Sequence, residues 1–205
     1  MRPIPLRYLL LCLLAFQLVL PGCATVRAKR NMKRDLGRVL DQAVLLLGEK
    51  KVRVNGRPFR SDCSGFVTAC YSVVDLALID PTIAASSGTQ LMFKTLRKRG
   101  RIVPTAQVRA GDLVFFHNTW DKNRNGLRDD PFTHVGMVER VVKDGRVHFV
   151  HYASGRVKRG VLTPSRPNLA RDPETRDQLN SHIRRGGGHT LAGQLFHRFG
   201  RPLPP

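Results

Sequence analysis

Apolar positions along the chain follow three patterns. Near the amino terminus, Arg2 and Arg7 bracket the start of an apolar run, Tyr8 to Phe16, which resumes after Gln17 as Leu-Val-Leu. That is a signal-peptide core, shorter than the ~20 apolar residues a membrane span needs. Helical spacing appears next. Leu36, Val39, Leu40, Ala43, Val44 and Leu47, with Gly48 as a stop, predict a helix over 32–47. Phe66, Val67, Cys70, Val73 and Val74 predict a second helix opening at Cys63, and Thr89 to Lys98 a short third ended by Gly100. Strand patterns follow at 112–116, 134–142 and 147–153, the last two joined by a hairpin at Lys143-Asp144-Gly145-Arg146. Residues 164–189, rich in Pro, Arg, Asp and Gly, read as an extended or mobile excursion, and Leu191 to Phe199 as a short terminal helix. Helices first and an antiparallel sheet afterwards predict an α+β fold, with the second helix packed on a small antiparallel sheet.

Composition bounds the picture without redirecting it. The 205 residues allow one domain with appendages, and 41% apolar with 24% charged residues excludes wholesale disorder. The charge balance is the outlier: 35 Lys and Arg against 15 Asp and Glu, a net +20, predict attraction to a polyanion. The basic residues are scattered over Arg27–Arg34, Arg97–Arg101, Arg156–Arg159 and Arg184-Arg185, so no run reads as a groove-reading element and nucleic acid is not an expected partner. Leu20-Pro21-Gly22-Cys23 resembles a bacterial lipobox, which implies lipidation at Cys23 and a lipid anchor in the membrane. The alternative is an ordinary signal peptide or uncleaved anchor with an incidental cysteine. Its resemblance to Gram-negative lipoproteins with a residue other than Asp after the cysteine, here Ala24, implies the outer membrane, facing the periplasm. The expected organisation is a signal over 1–22, a charged tether over 23–33, a domain over 34–163 and a basic excursion with a short helix over 164–205, as a monomer.

Four cysteines are present, but Cys12 leaves with the signal and Cys23 is consumed by lipid. Cys63 and Cys70 lie on one helix face about 10 Å apart, beyond the ~7 Å reach of a disulfide. Cys70 falls on the buried stripe and reads as packing. Cys63 follows Ser61 and Asp62, both good N-cap residues, which places its thiol in a first turn where free N–H groups and the helix dipole favour an anion. The expectation is a depressed pKa and a nucleophile, with Gly65 leaving room for a substrate backbone.

Ser61-Asp62-Cys63-Ser64-Gly65-Phe66-Val67 resembles the nucleophile motif of the NlpC family of cell-wall cysteine peptidases, a papain-like group close to the CHAP amidases. Ala110 to His117 resembles that family's glycine-aspartate turn entering a core strand, Thr133 to Val138 its histidine strand, and Phe149 to Ala153 the strand with its third polar residue. The resemblance covers Ser61 to Ala153 and implies a papain-like fold, Cys63 as nucleophile, His134 as base and His151 as orienting group, supported by Asp62, Ser64 and Gly65. His148 is the alternative orienter on the same strand. The family commonly carries a tyrosine before the Cys motif, and Lys50 to Gly56 has none. The implied activity is cleavage of amide bonds in peptidoglycan peptides as an endopeptidase. The alternatives are an amidase cutting between sugar and peptide, a lipid acyltransferase using the same thiol, and a non-catalytic wall-binding lipoprotein.

Asp121-Lys122-Asn123-Arg124-Asn125-Gly126 matches the first half of a calcium-binding loop, with oxygens at positions one, three and five and a glycine at the turn. Its twelfth position is Phe132, so Asp129 or Asp130 would have to close the shell. A structural calcium ion at Asp121, Asn123, Asn125, Asp129 and Asp130 competes with a solvated Asn/Asp/Gly-rich turn. No cofactor is required by the chemistry.

Overall fold

The computed structural model describes residues 20–184, 186 and 188–204. The signal-like run up to residue 19 lies outside them, as does the Cys23 side chain. The chain divides into a unit ending at Asp35 and a compact unit from Leu36 to Pro205, and the second carries everything below. The expected tether, 23–33, is part of a helix, α1 (Leu20–Leu45). After Gly22 that stretch has no Gly or Pro and is rich in Ala, Arg, Lys and Met, all good helix formers. Among the described residues no helix is long and apolar enough to cross a membrane.

Of the stripe its spacing predicts, helix α1 buries Val39 and Ala43, half-buries Leu36 and Leu40, and leaves Val44 exposed. A small hairpin follows, β1 (Arg53–Val54) and β2 (Arg57–Pro58), turned by Asn55-Gly56 with both residues at positive φ, the geometry a two-residue turn wants. Helix α2 (Cys63–Ser72) comes next, then α3 (Gly88–Lys98). The six-stranded sheet that follows is antiparallel throughout: β3 (Ile102–Val103), β4 (Leu113–Phe116), β5 (His134–Val141), β6 (Val147–Ala153), β7 (Arg156–Leu162) and β8 (Phe196–Gly200), in the order β3-β8-β4-β5-β6-β7. The hairpin between β5 and β6 forms at Asp144-Gly145 as predicted, with Gly145 at φ +83°.

Helix α2 packs one face of the sheet, Phe66, Val67, Cys70 and Tyr71 sharing a core with Leu113, Phe115, Val135, Met137 and Val150. This is the α+β, papain-like arrangement that the patterning and the resemblance predict. The opposite face, Val114, Phe116, Val138, Phe149 and Phe199, is covered by Ala192, Leu195 and Ile183. Ile183 comes from the segment expected to be a mobile excursion, and the structure corrects that expectation. Asn180, 1% exposed, donates from Nδ2 to the carbonyls of Arg166 and Leu169 at 2.8 Å each and accepts from the Thr163 N–H at 2.9 Å. One side chain thus satisfies three backbone groups of a path with little regular structure, which is how a loop can be buried at all.

The terminal helix is corrected too. Only Ala192–Leu195 makes a helical turn (α4), and Phe196 to Gly200 becomes a strand between β3 and β4. Pairing on both sides overrides the local spacing, as strand formation depends on neighbours more than on intrinsic preference. The compact unit therefore reaches to the carboxyl terminus and does not stop at residue 163. Strand β7 went unpredicted because it is an edge strand carrying Arg156, Lys158 and Arg159, the charges that guard an edge against further pairing.

Candidate active site

Cys63 opens α2. Asp62 caps the helix, its Oδ1 accepting from the Gly65 N–H at 2.7 Å and the Ser64 hydroxyl at 2.8 Å, and its other oxygen meets Arg60 at 2.9 Å. The predicted cap is therefore present, but the role expected of Gly65 is different. A Cβ there would stand 2.0 Å from the Arg60 carbonyl oxygen, so the space a glycine leaves is filled by the chain's own backbone and not by substrate.

The electrostatics of the thiol also depart from expectation. Burial pushes the Cys63 pKa up, and the Asp62 carboxylate adds to the push; the Thr89 hydroxyl and the backbone at Val135 and Ser64 pull the other way without winning. The helix terminus supplies donors, yet desolvation of a sulfur anion outweighs them. Cys70 is raised as well, by burial in the core, and has no donor cluster around it. Both thiols are free.

Thr89 was not singled out by the sequence. It lies 26 positions from Cys63, near the start of α3, and is buried with its hydroxyl 3.7 Å from the sulfur. Thr89→Val keeps the shape and removes the donor, so the thiol should rise further. Alkylation of Cys63 by iodoacetamide at neutral pH is expected to slow severalfold, with the alkaline limb of the rate profile displaced to higher pH; an unchanged profile would remove Thr89 from this role.

His134 opens β5 opposite Phe116, the last residue of β4. Its neighbour Val135 supplies one of the backbone groups beside the Cys63 sulfur, so the histidine strand runs past the nucleophile. His134 Nε2 lies 2.7 Å from Nδ1 of His151 on β6. His148, the alternative orienter, stands away from this pair, 3.3 Å from the Arg140 guanidinium. Both paired rings are buried, His151 to 1% exposure. Burial, with the Lys158 charge beside it, lowers the His134 pKa to about 4. Burial, then the His134 and Lys158 charges, holds His151 well below the ordinary range. One proton sits between the two nitrogens. If His134 Nε2 donates it, the other His134 nitrogen, Nδ1, is left bare to act as a base.

Two clefts adjoin at this point. One, of about 320 Å³, is lined by Arg60, Cys63, Ser86, Thr89, Trp120 and Lys122 among others. The other, of about 590 Å³, is lined by Trp120, His134, Tyr152, Ser154, Ile183 and Arg184 among others. Half-exposed Trp120 borders both, its indole N–H donating to the Thr133 carbonyl at 3.3 Å. In the stretch where the family tyrosine would stand, the Lys50 carbonyl accepts from the hydroxyl of Tyr152, which arrives from β6 at 3.0 Å.

The 121–130 turn closes on itself. Asp121 accepts from the Asn125 and Gly126 N–H groups, and Asn123 and Asn125 direct their amide N–H groups at Asp129. Asp130 is buried and accepts from the Lys122 N–H. The Asn123 and Asn125 side-chain amides thus face Asp129 within the turn, and among the described residues no group of three or more His, Cys, Asp or Glu could hold a metal ion.

Residues 49–165, more than half of the chain, match the NlpC/P60 family. No curated protein and no solved structure matches the chain.

Proposed function

The chain belongs to the NlpC/P60 family, in general one of cysteine peptidases and hydrolases, and on that premise we propose that this protein is an envelope endopeptidase hydrolysing amide bonds in peptidoglycan peptides. The observation that carries the reading is the contact of His134 Nε2 with His151 Nδ1 at 2.7 Å, on the strand that runs past Cys63.

With the thiol raised and the imidazole lowered, the resting site is the neutral pair of thiol and imidazole. His134 then works as a general base in the attack itself. Its Nδ1 takes the thiol proton as sulfur bonds to the carbonyl carbon, the carbonyl electrons move onto oxygen, and His151 holds the imidazolium that forms. Collapse breaks the C–N bond, the His134 proton goes to the leaving amine, and a thioester remains. Water, deprotonated by the same imidazole, then releases the acid and restores the thiol. Since His134 protonates the leaving amine, the cleft it lines receives the amine half of the substrate, and the cleft that Cys63 lines receives the acyl half.

The outer-membrane address and the lipid on Cys23 belong to this proposal as the means of holding the enzyme against the wall, and the net charge, still +18 once Arg2 and Arg7 leave with the signal, suits a polymer rich in carboxylates. Digestion of purified peptidoglycan by the full-length protein, read by fragment masses, tests the reading and names the bond. Cuts between sugar and peptide would make it an amidase; no fragments across pH 5 to 9 would overturn hydrolysis of the wall. A calcium ion at Asp121, Asn123, Asn125, Asp129 and Asp130 would require both amides to turn over and present oxygens. No change in Tm with calcium or with chelator is the expected result, and a rise of several degrees with calcium would establish the ion.

A further inference from the structure

The carboxyl-terminal segment that covers the sheet also reaches the active site. Ile183 and Arg184 line the His134 cleft, although they lie beyond the residues that match the family. The Arg184 side chain is positioned by one bond, Nη1 donating to the Asn118 carbonyl at 2.5 Å. A guanidinium has five N–H donors in a planar fork, so this bond uses one of them and leaves the others for a ligand in the cleft that Arg184 lines. Lys158 stands at the rim, its Nζ 3.5 Å from the Ser154 hydroxyl that lines the same cleft, and close enough to bear on both histidines. Among the described residues neither Arg184 nor Lys158 is paired with a carboxylate. The one acid lining the cleft, Asp121, is engaged with the N–H groups of its own turn.

We propose that Arg184, with Lys158 at the rim, forms a subsite for a free carboxylate on the residue whose amine leaves, so that the enzyme selects acidic peptides on the amine side of the cut bond. This rests on the hydrolase reading above and adds a substrate preference to it. Trp120 and Ile183 supply the apolar sides of the cleft, and the guanidinium is the group that can hold a planar carboxylate with two parallel bonds. Occupation of the subsite would also place a negative charge near Lys158, opposing the field that Lys158 exerts on the imidazole pair, so that a correctly bound substrate favours the imidazolium that the reaction forms.

The test compares two synthetic stem peptides that differ only in whether the leaving-amine residue ends in a free carboxylate or a carboxamide. Wild-type full-length protein should cleave the acid with a kcat/KM about tenfold above the amide, the range of a charge-assisted hydrogen bond at a partly exposed site. Arg184→Gln should bring that ratio to about one, and Arg184→Lys should keep part of it. A wild-type ratio of one, or a preference that survives Arg184→Gln, overturns the subsite. Binding of the same peptides to the Cys63→Ala protein, read by fluorescence of Trp120, the sole tryptophan, separates this from the hydrolase reading. If wild type cleaves neither peptide, hydrolysis falls. An acid preference in binding that Arg184→Gln removes still supports the subsite, and equal binding of acid and amide overturns it.

Discussion

Alanine at Cys63 is expected to abolish fragment release from peptidoglycan, and alanine at His134 to lower turnover by about 10²- to 10⁴-fold, the usual contribution of a positioned acid–base group. The histidine effect should be large here because the thiol is not ionised at rest. Burial holds Cys63 protonated, so without an acceptor in the attack there is almost no nucleophile. The acid limb of the kcat/KM profile should follow His134, which must be neutral to act, so activity is retained below pH 6 and lost as pH falls through about 4. A profile that breaks near 6.5 would mean that the imidazole is solvated and the buried pair wrongly assigned. Stability follows with the same sign. His134 takes up its proton near pH 4 folded and near 6.5 unfolded, so its contribution is complete above 6.5 and is lost as pH falls towards 4.

Arg201→Met is expected to cost about 3 kcal/mol, because the residue it abandons cannot be hydrated. Asp112, 1% exposed at the entry to β4, receives Arg201 on both oxygens at 2.8 and 2.9 Å and the Arg109 N–H at 2.9 Å. Removing the guanidinium strands a buried carboxylate. For a chain of this size the loss is about 10 °C in Tm. The double variant Arg201→Met/Asp112→Asn removes the stranded charge and should recover part of it. A single-variant shift under about 2 °C would show that water reaches Asp112.

Much of the site could be read before its geometry was seen, and for identifiable reasons. Helical spacing located α2, a polar cap located its start, and Asp-Gly located the hairpin that brings β6 beside β5. These are local signals. His151 came from resemblance alone, since periodicity could not set the register between strands. Thr89 and Arg184 were missed because nothing near them in the chain marks them, and Tyr152, though next to His151, because its bond to the Lys50 carbonyl spans about a hundred residues; each is placed by packing. The expected ionisation of Cys63 failed for a related reason: a helix terminus is visible in sequence, but the burial that outweighs it is not.

Strand β8 has a consequence in time. It fills the place between β3 and β4, yet it is made of residues 196–200, later in the chain than every other strand of the sheet. Until it pairs, β3 is cut off from the rest of the sheet, and Arg201 is absent from Asp112. Such non-local pairing forms late and slowly. The edge of β4 that β8 covers therefore stays open to another chain until β8 docks, and a slow last pairing leaves the sheet exposed to association with a second molecule.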